Sequence, residues 1–308
     1  MNLPKITIIT PSFNQGQYIE KTILSVLNQN YPNLEYIIID GGSTDGTVEI
    51  IKKYQQHITY WISESDKGQS DAINKGLKLA SGDIINWLNS DDYLENNVLQ
   101  KIANDFSSIN VDILCGYSKI ISANGISKKR TSKLGNNFAQ FISQGQIMQP
   151  STFFRKHIFD EFTPLELSLH FMMDHYVWLL YISKYHTEKI KYVDYTISFV
   201  LVHENAKSFK MINLFQNDRE MIYSSMFKSM NLKWVYPYKN NTTYISFNYP
   251  SELIKQHGSE INFYLLIDLI FIRDAFGNRG RINLNNLIRV FYYFPIKSIN
   301  YLLKKTIH

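Results

Sequence analysis

Asp91 and Asp92 are adjacent carboxylates that follow a short apolar run, Ile84–Leu88 (IINWL). Neighbouring carboxylates repel each other, and burial at a strand end adds a desolvation cost. A divalent cation relieves both. Oxygen ligands suit Mg2+ or Mn2+, which bind together with substrate phosphates rather than in an all-protein cage. The other role for an Asp at this place is to cap the next helix. Asp40 follows a second apolar run, Tyr36–Ile39, and opens the segment Asp-Gly-Gly-Ser-Thr-Asp-Gly. Its carboxylate is placed to accept from a uracil or amide N–H, while Asp45 is read as the cap of the helix that follows. Phe13 is suited to stack on a base or to join the core. Asp174 offers a carboxylate at a predicted helix start. His203 and Lys207 offer an imidazole and an ammonium just after a strand. Taken singly, each of these has a structural role as readily as a chemical one.

Such residues need a frame that brings them together. Ile6–Thr10 is a β-branched run that ends at Pro11, which cannot donate a ladder bond in a central strand. Tyr18–Asn28 has helical spacing, with Ile19, Ile23, Val26 and Leu27 on one face. Tyr36–Ile39 predicts a second strand, Thr47–Tyr54 a second helix and Thr59–Ile62 a third strand. Gln69–Ala80 predicts a third helix, with Gly82 as its left-handed cap, and Ile84–Leu88 a fourth strand. This βαβαβαβ order implies a mostly parallel sheet with helices on both faces. Ligands of such sheets lie beyond the C-terminal strand ends, where Pro11–Asn14, Asp40–Gly46, Glu64–Gln69 and Asp91–Asp92 would converge. Further on, 112–121 and 126–130 predict a hairpin across Asn124-Gly125. Ser151–Arg155 and Tyr192–His203 read as strands, and Met173–Tyr185 as a helix. From Met211 the pattern is helical, with a soft boundary near Phe209.

The chain has 308 residues, 44% hydrophobic and 19% charged, enough for a sizeable core and too apolar for disorder. Its net charge is +5, but Ala275–His308 holds six basic and no acidic residues, so the rest sits near −1. That excludes a basic nucleic-acid-binding body and directs any anionic partner to the tail. Two short basic amphipathic helices in the tail, broken at Pro295, are suited to an anionic membrane surface or to packing on the catalytic domain. The longest apolar run, Ile261–Ile272, is too short to span a bilayer and contains Asp268. Residues 1–5 lack the apolar core of a signal peptide. With Cys115 as the single cysteine, no internal disulfide or cysteine zinc site can form, and a cytoplasmic location is expected.

Taken together, the segments resemble a family 2 glycosyltransferase of the GT-A fold. The resemblance rests on Thr10-Pro-Ser-Phe-Asn14, on 39–47 (IDGGSTDGT), on 65–76 (SDKGQSDAINKG), on 80–83 (ASGD) and on 88–92 (LNSDD). It continues more weakly through 149–155, Asp174 and 203–208. It implies an inverting transfer of a sugar from a UDP- or GDP-linked donor to a glycan or lipid-linked glycan. By motif match, Pro11, Phe13, Asn14, Asp40 and Asp66 would line the nucleoside pocket, with Asn74 near it. Asp91 and Asp92 match the metal motif, and which of them holds the metal and which faces the ribose stays open. His203 matches a position that supports the metal or pyrophosphate. Many relatives carry Arg where Ile73 stands, and Lys75 or Lys207 is the substitute available here.

Asp174 matches the catalytic base, which takes the acceptor proton during in-line attack. Its place at a helix N-terminus is expected to keep its pKa low. The competing carboxylates are Asp160 and Glu161, expected in a loop, and Glu204. The resemblance implies a GT-A catalytic domain over 1–209, divided into a nucleotide-binding half (1–106) and an acceptor-binding half (107–209). A mostly helical extension follows over 210–308. Two other readings share the fold. One is a non-catalytic nucleotide-sugar-binding subunit. The other is a sugar nucleotidyltransferase, which the absence of any basic residue in 11–16 disfavours.

Overall fold

A computed structural model describes residues 3–107, 110–122, 125–134, 141, 145–203, 215, 217, 218, 221, 222 and 225. The expected membrane-facing tail, Lys207 and Glu204 lie outside the described residues. Strands are β1 (Ile6–Ser12), β2 (Leu34–Asp40), β3 (Tyr60–Ser63), β4 (Ile84–Trp87), β5 (Tyr93–Leu94), β6 (Ile113–Ser122), β7 (Gly125–Thr131), β8 (Thr152–Arg155) and β9 (Ile190–Leu201). Helices are α1 (Ile19–Leu27), α2 (Thr47–Tyr54), α3 (Gln69–Leu79), α4 (Val98–Asp105), α5 (Lys156–Phe162) and α6 (Met173–Tyr185). They build one sheet in the order β3-β2-β1-β4-β8-β6-β9-β5, with β7 beside β6.

The pairs β3·β2, β2·β1 and β1·β4 are parallel, as the alternating pattern requires. β8 then runs antiparallel to both β4 and β6, so the sheet as a whole is mixed. Alternate strand residues feed two cores. Ile9, Ile37, Ile85, Trp87 and Phe154 face α3, α5 and α6. Ile8, Ile38, Ile84, Leu114 and Phe153 face α1, α2 and α4. The result is a sheet between two helical layers. Almost every position of α6 from Val177 to Ser183 is buried, so the helix lies within the core rather than over it.

Three local expectations change. Pro11 lies inside β1, opposite Ile39 of β2. Pairing with β4 stops at Ile9, so β1 has a neighbour on only one side where proline lacks its donor. Gly82 is not a left-handed cap, because α3 ends at Ala80 in extended backbone. Glycine is needed there for close approach: a Cβ would lie 2.4 Å from Thr7 Oγ1 and 2.8 Å from its nitrogen. Asp160 and Glu161 belong to α5, not to a loop, and pair with Lys156 and Lys184. Beyond the expected boundary at Phe209, Ile222 is fully buried in the core that contains α6, and Phe215 and Met221 pack against it.

At the N-terminal strand ends, Glu35 is buried and fully partnered. It accepts from Thr7 Oγ1 at 2.6 Å, from Ser81 nitrogen at 2.7 Å and from Ser81 Oγ at 2.6 Å. Lys5 Nζ lies 2.7 Å away. Burial alone would raise its pKa, but the bonds from Lys5, Ser81 and Thr7 outweigh it and bring the group to about 2. A lowered carboxylate pKa contributes stability that is present above about pH 4.5 and is lost as pH falls towards 2. Glu35→Gln should therefore lose on the order of 1–3 kcal/mol at pH 7. In urea titrations the gap to the parent chain should close as pH falls. A constant gap from pH 7 to pH 3 would contradict the assignment.

Candidate active site

The chain leaves β1 to one side for β2 and returns to the other for β4, which opens a crevice at the C-terminal strand ends. A cleft of about 720 Å3 occupies that place, within the range of small-molecule sites. Four loops and two later elements line it. β1 supplies Pro11, Ser12 and Phe13, the β2 loop Gly41, and the β3 loop Ser65 and Asp66. Asn89–Asp92 come from β4, Val200 and Leu201 from β9, and Met173 and Asp174 from α6.

The nucleotide-side loops are tied to one another. Asn14, at φ 52°, donates its backbone N–H to Ser43 Oγ at 2.7 Å, and its Oδ1 accepts from Thr44 nitrogen at 3.0 Å. Asp40 is fully buried. Its carboxylate accepts from the nitrogens of Gly42 and Ser43 and from the hydroxyls of Ser43 and Ser63. Asp40 and Asn14 therefore shape the loop, and Gly41 beside them faces the cleft. A Cβ on Gly41 would sit 2.7 Å from Asp66 Oδ2, so a side chain there would push the Asp66 carboxylate from its place. Asp45 accepts from Gly16 and Thr47 nitrogens, the capping role expected of it. Phe13 is 58% exposed while lining the cleft, a large apolar face open to a stacking partner.

The Asp91–Asp92 turn is fastened by α1 and by its own neighbours. Thr22 Oγ1 lies 2.9 Å from the carbonyl of Ser90 and 2.6 Å from that of Asp92. One turn on, Ser25 Oγ accepts from Leu94 nitrogen, and Gln29 Oε1 accepts from Val98 and Leu99 nitrogens. Gln29 thus supplies the cap that Asn97, which makes no side-chain cap bond, does not give α4. Gln69 donates to Asn89, and Asn89 donates to Asp92 Oδ2 at 3.2 Å.

Asp92 is buried, and its pKa lies well above the usual carboxylate range, first because of desolvation and then because of the charge on Asp91. His203 Nε2 lies 3.1 Å from Asp91 Oδ2, with its ring against Tyr18. Among the described residues no three His, Cys, Asp or Glu groups are arranged to hold a metal. The expected set of Asp91, Asp92 and His203 is therefore not a ready-made cage, and His203 is the hydrogen-bond partner of Asp91. The carboxylate pair still fits a divalent cation. It has no Lys or Arg ion partner among the described residues, and one or two carboxylates plus substrate phosphate complete a Mg2+-type site.

Two expected residues point elsewhere. Asn74 clamps the backbone of Leu165 in both directions and does not line the cleft. Lys75 pairs with Glu64 at 2.7 Å, and Ile73 is fully buried, and neither lines the cleft.

Asp174 opens into the cleft from the first turn of α6. Its pKa is raised to about 6, by desolvation first, against the bond from His175 nitrogen and with a contribution from the charge of Asp218. The helix N-terminus does not hold it low, as expected from its position, because burial outweighs the helix dipole. Asp218 itself was not legible in the sequence, since a lone Asp in a helical stretch carries no signal.

The model of glycosyl transferase family 2 matches residues 7–175. An uncharacterized glycosyltransferase of Haemophilus influenzae is 42% identical over 107 residues, 34% of this chain and 43% of that protein. TuaG of Bacillus subtilis, named for teichuronic acid biosynthesis, is 41% identical over 103 residues, 32% of this chain and 40% of that protein. The match to this chain thus spans about two fifths of these relatives. Among solved structures, S. aureus TarS 1–349 with UDP-GlcNAc superposes with a TM-score of 0.55 at 20% identity, over 71% of this chain and 65% of that one. Glucosyl-3-phosphoglycerate synthase from Mycobacterium tuberculosis, with Mn2+, UDP and glucosyl-3-phosphoglycerate, gives 0.51 at 13% identity, over 73% and 79%. At such identities the likeness is one of fold, and it meets the expected GT-A architecture.

The raised pKa of Asp174 has a sign that stability measurements can read. Its folded-state contribution is present below about pH 4 and is lost as pH rises through about 6. Asp174→Asn removes that loss. The variant should be more stable than the parent above pH 6, by on the order of 1–3 kcal/mol, and equal to it near pH 4. A variant less stable at pH 8 would show that Asp174 carries structural bonds instead.

Proposed function

The chain belongs to glycosyl transferase family 2, and from that premise we propose that it moves a sugar from a UDP- or GDP-linked donor to an acceptor hydroxyl, with inversion at the anomeric carbon. The observation that carries this reading is the shared cleft. It is lined by a carboxylate pair at the end of β4 that has no Lys or Arg partner among the described residues, and by a separate carboxylate with a raised pKa at the start of α6. One suits a metal-bound diphosphate and the other suits a proton.

Each residue then has a defined task. Phe13 offers its exposed ring to the base, and Gly41 and Asp66 bound the nucleoside pocket with Pro11. Asp91 and Asp92 would hold Mg2+ or Mn2+ against the donor phosphates. A cation bound there neutralises charge on the departing diphosphate. Asp174, ionised above about pH 6, takes the acceptor's proton as its oxygen bonds to the anomeric carbon and the nucleotide diphosphate leaves. A base whose pKa lies near the working pH combines ionisation with proton affinity. The UDP ligands of the two solved neighbours support a UDP-linked donor. The name of TuaG supports an acceptor in surface polysaccharide synthesis, glycan or lipid-linked.

The test is a donor screen with the purified full chain, Mn2+ or Mg2+, and detection of released UDP or GDP. Excess EDTA and Asp92→Asn should each abolish release while leaving the fold intact, and full activity in EDTA contradicts the metal role. Asp174→Asn should lower kcat by on the order of 10²–10⁴-fold with donor affinity nearly unchanged. The rate of the parent chain should fall on the acid side of about pH 6. Donor binding without any release would favour a non-catalytic nucleotide-sugar-binding subunit.

A further inference from the structure

α6 begins without a cap of its own. Its N-cap residue is Met172, whose side chain cannot accept from the free N–H groups of the first turn. The two residues at this entry, Phe171 and Met172, nevertheless have their amides satisfied. Both N–H groups donate to one oxygen, Oδ2 of Asp218, at 2.6 and 3.0 Å. Asp218 is 3% exposed, and it comes from the extension expected to follow the catalytic domain of residues 1–209. Three residues earlier, Phe215 packs its ring on Phe171 at 5.0 Å and also lines the cleft. The 215–218 spacing matches one helical turn, so the ring and the carboxylate of one face grip the same short segment. That segment leads directly into Met173 and Asp174.

We propose that Asp218 is a positioning residue for the reaction, anchoring the entry to α6 and setting both the orientation and the charge environment of Asp174. This rests on the reading of Asp174 as the general base. The buried carboxylate serves the two amides that lead into the helix, while the first-turn amide of His175 is taken by Asp174 itself. It also places a second negative charge behind the base. The other titratable groups on the cleft are Asp66, Asp91, Asp92 and His170, with His175 next in the chain and turned to Phe141. Among the described residues, the charge that raises Asp174 is that of Asp218. Phe215 and Asp218, from beyond β9, therefore complete the acceptor side of the cleft.

Two variants separate anchoring from charge. Asp218→Asn keeps an oxygen for the two amides and loses the charge, and Asp218→Ala loses both. Carboxyl carbon NMR on the full-length protein should show Asp174 titrating at lower pH in Asp218→Asn than in the parent, by on the order of half a unit. Amide exchange at Phe171 and Met172 should stay slow in Asp218→Asn and become at least tenfold faster in Asp218→Ala. In the transfer assay Asp218→Ala should lose at least tenfold in kcat with donor KM nearly unchanged, and Asp218→Asn should restore most of it. An unmoved Asp174 titration, or slow exchange in Asp218→Ala, overturns the proposal even if transfer is active. The NMR and exchange outcomes stand without turnover, so an inactive parent chain bears on the transferase reading and not on the anchor.

Discussion

Two adjacent carboxylates at the end of β4, Asp92 buried and Asp91 half-buried, are the constraint to which the upper edge of this sheet answers. Asp91 and Asp92 repel each other, and desolvation adds to the cost, so the turn that carries them needs outside support. Most of that support comes from α1. Thr22 and Ser25 on α1, with Gln29 two residues past its end, bind the backbone from Ser90 to Leu99. From the other side, Gln69 donates to Asn89, which donates to Asp92, and His203 reaches Asp91. Three separate parts of the chain hold a turn whose charge none of them fully neutralises. The proposed role of receiving a cation with its ligand fits that form.

The two ends of the sheet treat buried carboxylates in opposite ways. At the N-terminal strand ends Glu35 has an ammonium and three hydrogen bonds, and its pKa falls to about 2. At the C-terminal ends Asp92 is buried and Asp174 half-buried, each with few donors, and both shift upward. The first arrangement stabilises the fold at neutral pH. The second costs stability at neutral pH, and that is the usual mark of groups kept for chemistry. Asp40 stands between the two: it lies at the cleft end, yet its oxygens are taken up by the loop that it shapes.

The first four strands and three helices were legible because each is a local pattern. β-branched runs alternate with amphipathic stretches, and α2 and α6 have the predicted limits. α4 and α5 were passed over because eight- and seven-residue helices carry too few periodic positions to read. The antiparallel insertion of β8 between β4 and β6 is a long-range pairing that no local pattern encodes. The same division holds in the site. Asp91, Asp92, Asp66 and Asp174 could be singled out by their motifs, and all four line the cleft. Asn74 was misplaced, since a motif says nothing of which backbone its amide will clamp. Asp218 is invisible until folding brings it to amides 46 and 47 residues away.

The central claim is that Asp91 and Asp92 bind cation and nucleotide diphosphate as one unit, and calorimetry of UDP binding with and without Mn2+ tests it most directly. Thermodynamic linkage requires each ligand to tighten the other by the same factor. If the pair is shared in this way, Mn2+ strengthens UDP binding by at least tenfold in the parent chain, and Asp92→Asn removes the gain while leaving metal-free UDP affinity unchanged. Equal UDP affinity in Mn2+ and in EDTA would contradict it.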